Sequence, residues 1–246
     1  MNTRPSNHAW QLATRVIGGI SRRLLHVHFD DLMSLGCTII HRFENSTNLV
    51  SLTFDDGPQP DTTRKIIATL ARHSVHATFF VIGDNARRYP DLVRALQYGG
   101  HEIGNHSYTH QDLHRLQSKK VRLEVRDCQQ TLRELTGTLP TLFRAPFGHF
   151  RWELSNGGRL DGIQSLVHWD VAPPHSETNP SRLTDYIVSR ARPGSIIVLH
   201  DGLSGAHKER SRAVGDTTAA CLESLIPALR ARQLDFRTIS EQLTRR

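Results

Sequence analysis

At 246 residues, with 37% hydrophobic and 22% charged side chains, the chain is long enough to bury a sizeable core and too apolar to be mainly disordered. Its net charge of +7 is scattered over pairs such as Arg22-Arg23, Arg87-Arg88, Lys119-Lys120 and Arg245-Arg246, with no long basic run, which speaks against nucleic acid as a partner. Three cysteines, Cys37, Cys128 and Cys221, form no Cys-x-x-Cys pattern, so neither a disulfide framework nor a thiolate zinc site is indicated and a reducing compartment is expected.

Residues 1–48 stand apart as an N-terminal extension. An amphipathic helix is predicted near Trp10–Leu25, with Leu12, Val16, Ile20 and Leu24 on one side and arginines elsewhere. It suits a helix packed on the end of the following domain, or alternatively a peripheral contact with a membrane surface. Arg15, Gly18-Gly19 and Arg22-Arg23 interrupt the segment, so it lacks the apolar core of a signal peptide. No later stretch approaches the roughly 20 apolar residues of a spanning helix. A cytoplasmic setting, with or without membrane association, is the expectation.

From Leu49 to the end, short apolar runs alternate with longer amphipathic segments, the signature of βα units and a largely parallel sheet. Strands are predicted at Leu49–Phe54, Ala77–Ile82, His101–Asn105, Leu142–Arg144, Gly162–Val167, Ser195–Leu199 and Asp235–Thr238. Helices are predicted at Thr62–Arg72, Pro90–Tyr98, Ser118–Leu135, Ser181–Arg192 and Thr217–Arg232. His149–Asp161 and Gly202–Asp216 lack periodicity and read as loops.

Chemistry-bearing residues cluster where these strands end. Asp55 and Asp56 close the first strand before Gly57-Pro58; two adjacent acids serve one site only if the chain bends there, and otherwise one caps a helix while the other is solvated. His106 and His110 have a spacing that lets two imidazoles reach one metal, although with 15 histidines roughly one such pair arises by chance. One Asp and two His would suit zinc or a related ion, the second Asp acting as base for a hydrolytic water. Arg144 ends a strand and suits either a carboxylate or a surface salt bridge. His200 ends another, as proton donor to a leaving amine or as a hydrogen-bonded structural residue. All five strand-end positions fall on one face of a parallel βα array, where the active sites of such barrels sit.

Thr53-Phe54-Asp55-Asp56-Gly57-Pro58, His106-Ser107-Tyr108-Thr109-His110, Arg144-Ala145-Pro146-Phe147-Gly148 and Leu199-His200, in this order, make residues 49–243 resemble the NodB-type polysaccharide deacetylases, carbohydrate esterase family 4. The resemblance implies a distorted (β/α) TIM-like barrel of about seven parallel strands. It implies a divalent metal, most often Zn2+, on Asp56, His106 and His110, with Asp55 as base and His200 as acid. The Phe147 backbone N–H would help to hold the oxyanion, and Leu199 and Trp169 would line the acyl pocket. The implied substrate is an N-acylated amino-sugar glycan, whether oligosaccharide, polysaccharide or lipid-linked, and the implied reaction is loss of its N-acetyl group.

The sequence departs from the family after Trp169-Asp170, where Val171-Ala172-Pro173-Pro174-His175-Ser176-Glu177 contains no recognisable counterpart of the later Asp and Trp. Arg144 is therefore expected to lack its usual carboxylate, with Asp170 or Glu177 as substitutes. Removal of a formyl or other small acyl group from a glycolipid is an alternative activity, and glycan binding without catalysis is a non-enzymatic one.

Overall fold

The computed structural model describes residues 37–149, 162–174 and 176–244. The helix predicted at Trp10–Leu25 and most of the loop predicted at His149–Asp161 lie outside the described residues. Among the described residues no helix is long and apolar enough to cross a membrane.

Strands β1 (Thr38–Ile40), β2 (Leu49–Asp55), β3 (Thr78–Val81), β4 (Glu102–Asn105), β5 (Leu142–Phe143), β6 (Ser165–Val167) and β7 (Ile196–His200) form one sheet in the order β1-β6-β5-β4-β3-β2-β7. Each of these neighbouring pairs is parallel, and β8 (Asp235–Phe236) pairs with the start of β2. The sheet curls until its two edges meet: Phe43 donates its N–H to Gly194 at 2.9 Å, and Val198 donates to the Val171 carbonyl at 3.0 Å. The result is the expected distorted barrel. Strand β1 lies within residues 1–48 and is absent from the predicted elements; a run of three strand residues is too short to show a period.

Helices α1 (Thr63–Arg72), α3 (Pro90–Tyr98), α4 (Ser118–Thr136) and α5 (Pro180–Arg190) occur where predicted. Two short helices were not foreseen, α2 (Gly83–Arg88) and α7 (Ile239–Leu243). Helix α6 (Lys208–Ala231) takes over half of the segment read as a loop at Gly202–Asp216. Gly215 conceals it in sequence. A Cβ there would lie 2.5 Å from Thr62 Cβ and 2.7 Å from the Asp201 carbonyl, so glycine is what lets α6 pass this close to the start of α1.

Strand β2 shows how the barrel positions its site. Val50, Leu52 and Phe54 point outward into the main core, joined by Phe79 and Val81 of β3 and by Ile66, Leu70, Leu222, Leu225 and Ile226 of the helices. Burying each such side chain contributes about 1.5–3 kcal/mol. The alternate residues Ser51, Thr53 and Asp55 point inward and form a polar line along the barrel. A smaller core inside the barrel, with Ile40, Phe80, Leu142, Val167 and Ile196, ends on Ile239 of α7, which plugs the N-terminal mouth.

Candidate active site

Asp55 is the last inward residue of β2, and its Oδ1 accepts from Arg144 Nη1 at 2.7 Å. Arg144 follows β5 and is fully buried. Nη1 also donates to Thr53 Oγ1 (2.8 Å), Nε to the Val167 carbonyl (3.2 Å) and Nη2 to the His168 carbonyl (3.0 Å), while the guanidinium lies 4.1 Å over the Phe80 ring. A buried charge is tolerated only when paired and hydrogen-bonded, and Asp55 with these acceptors meets that requirement.

On a regular strand the next side chain would point outward. Asp56 instead adopts left-handed backbone at φ 73, which turns its carboxylate over the barrel mouth. Such backbone costs about 1–2 kcal/mol for a residue other than glycine. Contacts compensate: Asp56 Oδ2 accepts the Ser204 N–H at 2.8 Å, and its carbonyl accepts Asn85 Nδ2 at 2.9 Å. The Gly57 that follows is required by packing, because a Cβ there would come within 2.0–2.5 Å of the Asp201 carboxyl.

Asp56 Oδ1 is buried without a hydrogen-bond partner, yet His110 Nε2 lies 3.0 Å and His106 Nε2 3.3 Å away. One ligand atom from each of these residues lies within 4.8 Å of the others. His106 Nδ1 is 2.8 Å from the Arg144 carbonyl. A carbonyl only accepts, so Nδ1 carries the proton and Nε2 turns a lone pair toward Asp56. Lone pairs facing a carboxylate oxygen are satisfied by a cation between them, and one carboxylate with two imidazoles suits zinc or a related first-row ion.

The electrostatics agree. Burial alone would push the Asp56 carboxyl up, but positive charge on the imidazoles beside it, His106, His110 and His200, would hold it well below the usual range, so the carboxylate faces a cation whether that is an imidazolium or a metal ion. Burial would push His106 down, and Asp55 with Asp56 more than reverse this. Two carboxylates in one buried mouth favour positive charge there, which a divalent ion supplies.

His200 ends β7 in register with Asp55 and is half-buried. It lines a small cleft with Pro173, Pro174, Glu177, Leu199 and Val214, so Leu199 does sit beside it. Phe147 has left-handed backbone at φ 60; the residue is 59% exposed and its ring lies 4.8 Å from that of His110. Trp169 packs under the same turn, near enough that a Cβ on Gly148 would meet its ring at 2.9 Å. Asp55, Asp56, His106, His110, Arg144, Phe147, Trp169 and His200 thus surround one mouth.

The expected substitutes for the carboxylate of Arg144 are corrected, since its partner is Asp55. Asp170 is engaged elsewhere, accepting the Ser195 hydroxyl (2.9 Å) and the Ile196 N–H (2.8 Å) where β7 begins, and Glu177 accepts the Asn179 N–H at 2.8 Å. Three supporting residues went unnoticed in sequence. Thr53 was identifiable by its inward alternation with Asp55. Asn105 and Asp201 carry no sequence signal of their own: Asn105 Oδ1 accepts the Ser107 N–H at 2.8 Å, and the Asp201 carboxyl, pushed up to about 7 by burial and by Asp56 and Asp55, accepts the Thr63 hydroxyl.

The sequence model of the polysaccharide deacetylase family matches residues 43–165. A chitooligosaccharide deacetylase of Bradyrhizobium sp. (strain ANU 289) is 35% identical over 201 residues, 80% of this chain and 91% of that protein. Among solved structures, the Bc1960 peptidoglycan N-acetylglucosamine deacetylase superposes with a TM-score of 0.74 at 26% identity, covering 83% of this chain and 92% of the other. A family pseudoenzyme from Bacillus anthracis, BA3943, reaches a TM-score of 0.72 at 23% identity over 85% of this chain and 70% of its own, a likeness of fold alone. Matching sequence, barrel and strand-end residues together, the chain belongs to the polysaccharide deacetylase family.

Proposed function

We propose that this protein removes the N-acetyl group from N-acetylglucosamine units of an oligosaccharide or peptidoglycan-type glycan in a metal-dependent hydrolysis. Because a pseudoenzyme shares the fold, the reading rests on side chains. The observation that carries it is the approach of His106 and His110 Nε2 to a buried Asp56 Oδ1 that has no hydrogen-bond partner, beside the Asp55–Arg144 pair and His200.

Asp56, His106 and His110 would hold the ion, which when bound polarises the acyl carbonyl and acidifies water. Asp55, oriented by Arg144, takes a proton from the water that attacks the acetyl carbon. The Phe147 N–H, for which no intramolecular acceptor is found among the described residues, faces the developing oxyanion. His200 protonates the sugar nitrogen as the C–N bond breaks, so that acetate and a free amine leave. The cleft of Pro173, Pro174, Leu199 and Val214 beside His200 receives the acyl methyl.

Acetate release from N-acetylglucosamine oligomers by metal-stripped protein, with and without added zinc, tests this against an Asp56→Ala control. Zinc-dependent release absent from the control is the expected result. Stoichiometric zinc binding without release would remove these oligomers as substrates and leave other acylated sugars, including formylated or lipid-linked ones, to be tried.

A further inference from the structure

The loop that carries both imidazoles is neither helix nor strand, and two of its non-glycine residues hold left-handed backbone, Ser107 at φ 64 and His110 at φ 59. Such a loop keeps its shape only if its surroundings over-determine it. Its first anchor is Asn105, whose Nδ2 donates to the Val125 carbonyl and to Gln129 Oε1, both at 2.9 Å, while its Oδ1 takes the Ser107 N–H. The Ser107 hydroxyl in turn accepts the His110 N–H at 3.0 Å. These contacts fix the two ends of the loop, and the Gly83 and Asp84 N–H groups at the start of α2 hold the Ser107 (3.0 Å) and Tyr108 (2.9 Å) carbonyls, which leaves the N–H groups of its middle to a second anchor.

That second anchor is Glu124 on α4. Its Oε2 accepts the N–H groups of Tyr108 (3.0 Å) and Thr109 (2.8 Å), and its Oε1 accepts the Thr109 hydroxyl (2.7 Å). Among the described residues it makes no salt bridge, although Lys120 stands one turn earlier on the same helix; its hydrogen bonds go to this loop. Hydrogen bonds from N–H to an ionised carboxylate are roughly twice as strong as neutral ones, so this is a firm clamp on the two peptides just before His110.

We propose that Glu124 is a positioning residue for the metal-binding pair, holding the Tyr108–Thr109 backbone so that His110 presents Nε2 to Asp56 beside His106. The proposal rests on the reading of Asp56, His106 and His110 as cation ligands. Without Glu124 the loop loses three hydrogen bonds at its middle and keeps only the α2 and Ser107 contacts, so His110 is held less tightly and a pre-organised ligand becomes one that the ion must help to order on binding.

The test is zinc affinity, measured by titrating metal-stripped protein with the ion alone, with the melting temperature of each stripped variant read in parallel. Glu124→Ala is expected to weaken zinc binding by about 10- to 100-fold, and Glu124→Gln, which keeps one carbonyl-type acceptor, by less. Lys120→Ala, an exposed change on the same helix, should leave the affinity unchanged, and Asp56→Ala should abolish stoichiometric binding. A purely structural Glu124 would lower the melting temperature while the folded variant binds zinc like wild type, and that result overturns the proposal. Should Glu124→Ala fail to fold, wild-type affinity in Glu124→Gln overturns it equally. If Asp56→Ala binds zinc as the wild type does, the cation reading of the site falls first, and this proposal with it.

Discussion

At the N-terminal mouth of the barrel, Glu102 Oε2 accepts the Thr78 hydroxyl (2.8 Å) and the Ser240 N–H (3.3 Å), Gln242 Nε2 donates to Ser51 Oγ (2.8 Å), and that hydroxyl donates to the Arg237 carbonyl (2.8 Å). At the C-terminal mouth, Asp56 Oδ1 and Asp201 Oδ1 are buried without a hydrogen-bond partner, and Asp56, Ser107, His110 and Phe147 all carry left-handed backbone. Both mouths are lined by polar residues of the same strands. One is closed by groups that satisfy each other, with α7 held by a capping box between Thr238 and Glu241. The other holds concentrated charge and strained backbone that become favourable once a cation and a substrate arrive. Stability should therefore depend on the plug, and turnover on the open mouth.

Asp55 is where that division is sharpest, because it pairs with buried Arg144 and is also the proposed base. Asp55→Asn should lower kcat by about 10²–10⁴-fold, the usual cost of losing a general base. It also strips buried Arg144 of its counter-charge, which costs up to about 3–5 kcal/mol of stability when a buried pair is broken. Urea unfolding of the Asp55→Asn/Arg144→Met double variant separates the two effects. Replacing both charges with uncharged groups should restore most of the stability and none of the activity. A single variant whose kcat stays within tenfold of wild type would remove Asp55 from the chemistry.

Much of this was legible in the sequence, for reasons that differ by region. Parallel strands buried on both sides read as continuous apolar runs, so β2 to β8 lie within a few residues of their predicted places. The short elements β1, α2 and α7 stand outside the βα alternation that made equally short strands visible, and Gly215 breaks the pattern of α6 for a packing reason that exists only once Thr62 is beside it. The strand-end residues were legible because their chemistry is local: an Asp pair, a His pair, an Arg and a His after apolar runs. What supports them is tertiary. That Arg144 would find Asp55 across the barrel, and that Asp170 would be drawn to Ser195 and Ile196, depends on how the edges of the sheet close.

His101, on the outer side of the barrel, is expected to make the fold sensitive to acid. Its ring lies just before β4, where Nδ1 accepts the Ala77 N–H at 3.3 Å and the ring stands edge-on to His76 and Phe79. Burial, aided by His76, pulls its pKa from 6.5 down to about 4. The folded state therefore binds a proton less readily than the unfolded chain, so the stability it supports is fully present above pH 6.5 and declines as the pH falls toward 4. Each tenfold drop in proton affinity is worth about 1.4 kcal/mol, so the loss reaches up to about 3 kcal/mol. Urea midpoints of metal-stripped wild type and His101→Phe between pH 7 and pH 4.5 check this. The variant should show the shallower decline, and parallel curves would place the acid sensitivity elsewhere.

Gln242 should give the smallest effect and the cleanest separation of the two mouths. It is buried on α7, and its side chain reaches Ser51, four residues along β2 from Asp55. Gln242→Met keeps the volume and removes one neutral hydrogen bond, while the Ser51 hydroxyl still has the Arg237 carbonyl. The cost should be about 0.5–1.5 kcal/mol, a fall of a few degrees in melting temperature for a chain of this size. Zinc affinity and kcat/KM should stay within about twofold, since less than about 0.5 kcal/mol would be transmitted along the strand. A tenfold loss of kcat/KM without loss of stability would mean that the plug reaches the chemistry through the inward line of Ser51, Thr53 and Asp55, and that the barrel is one coupled polar network.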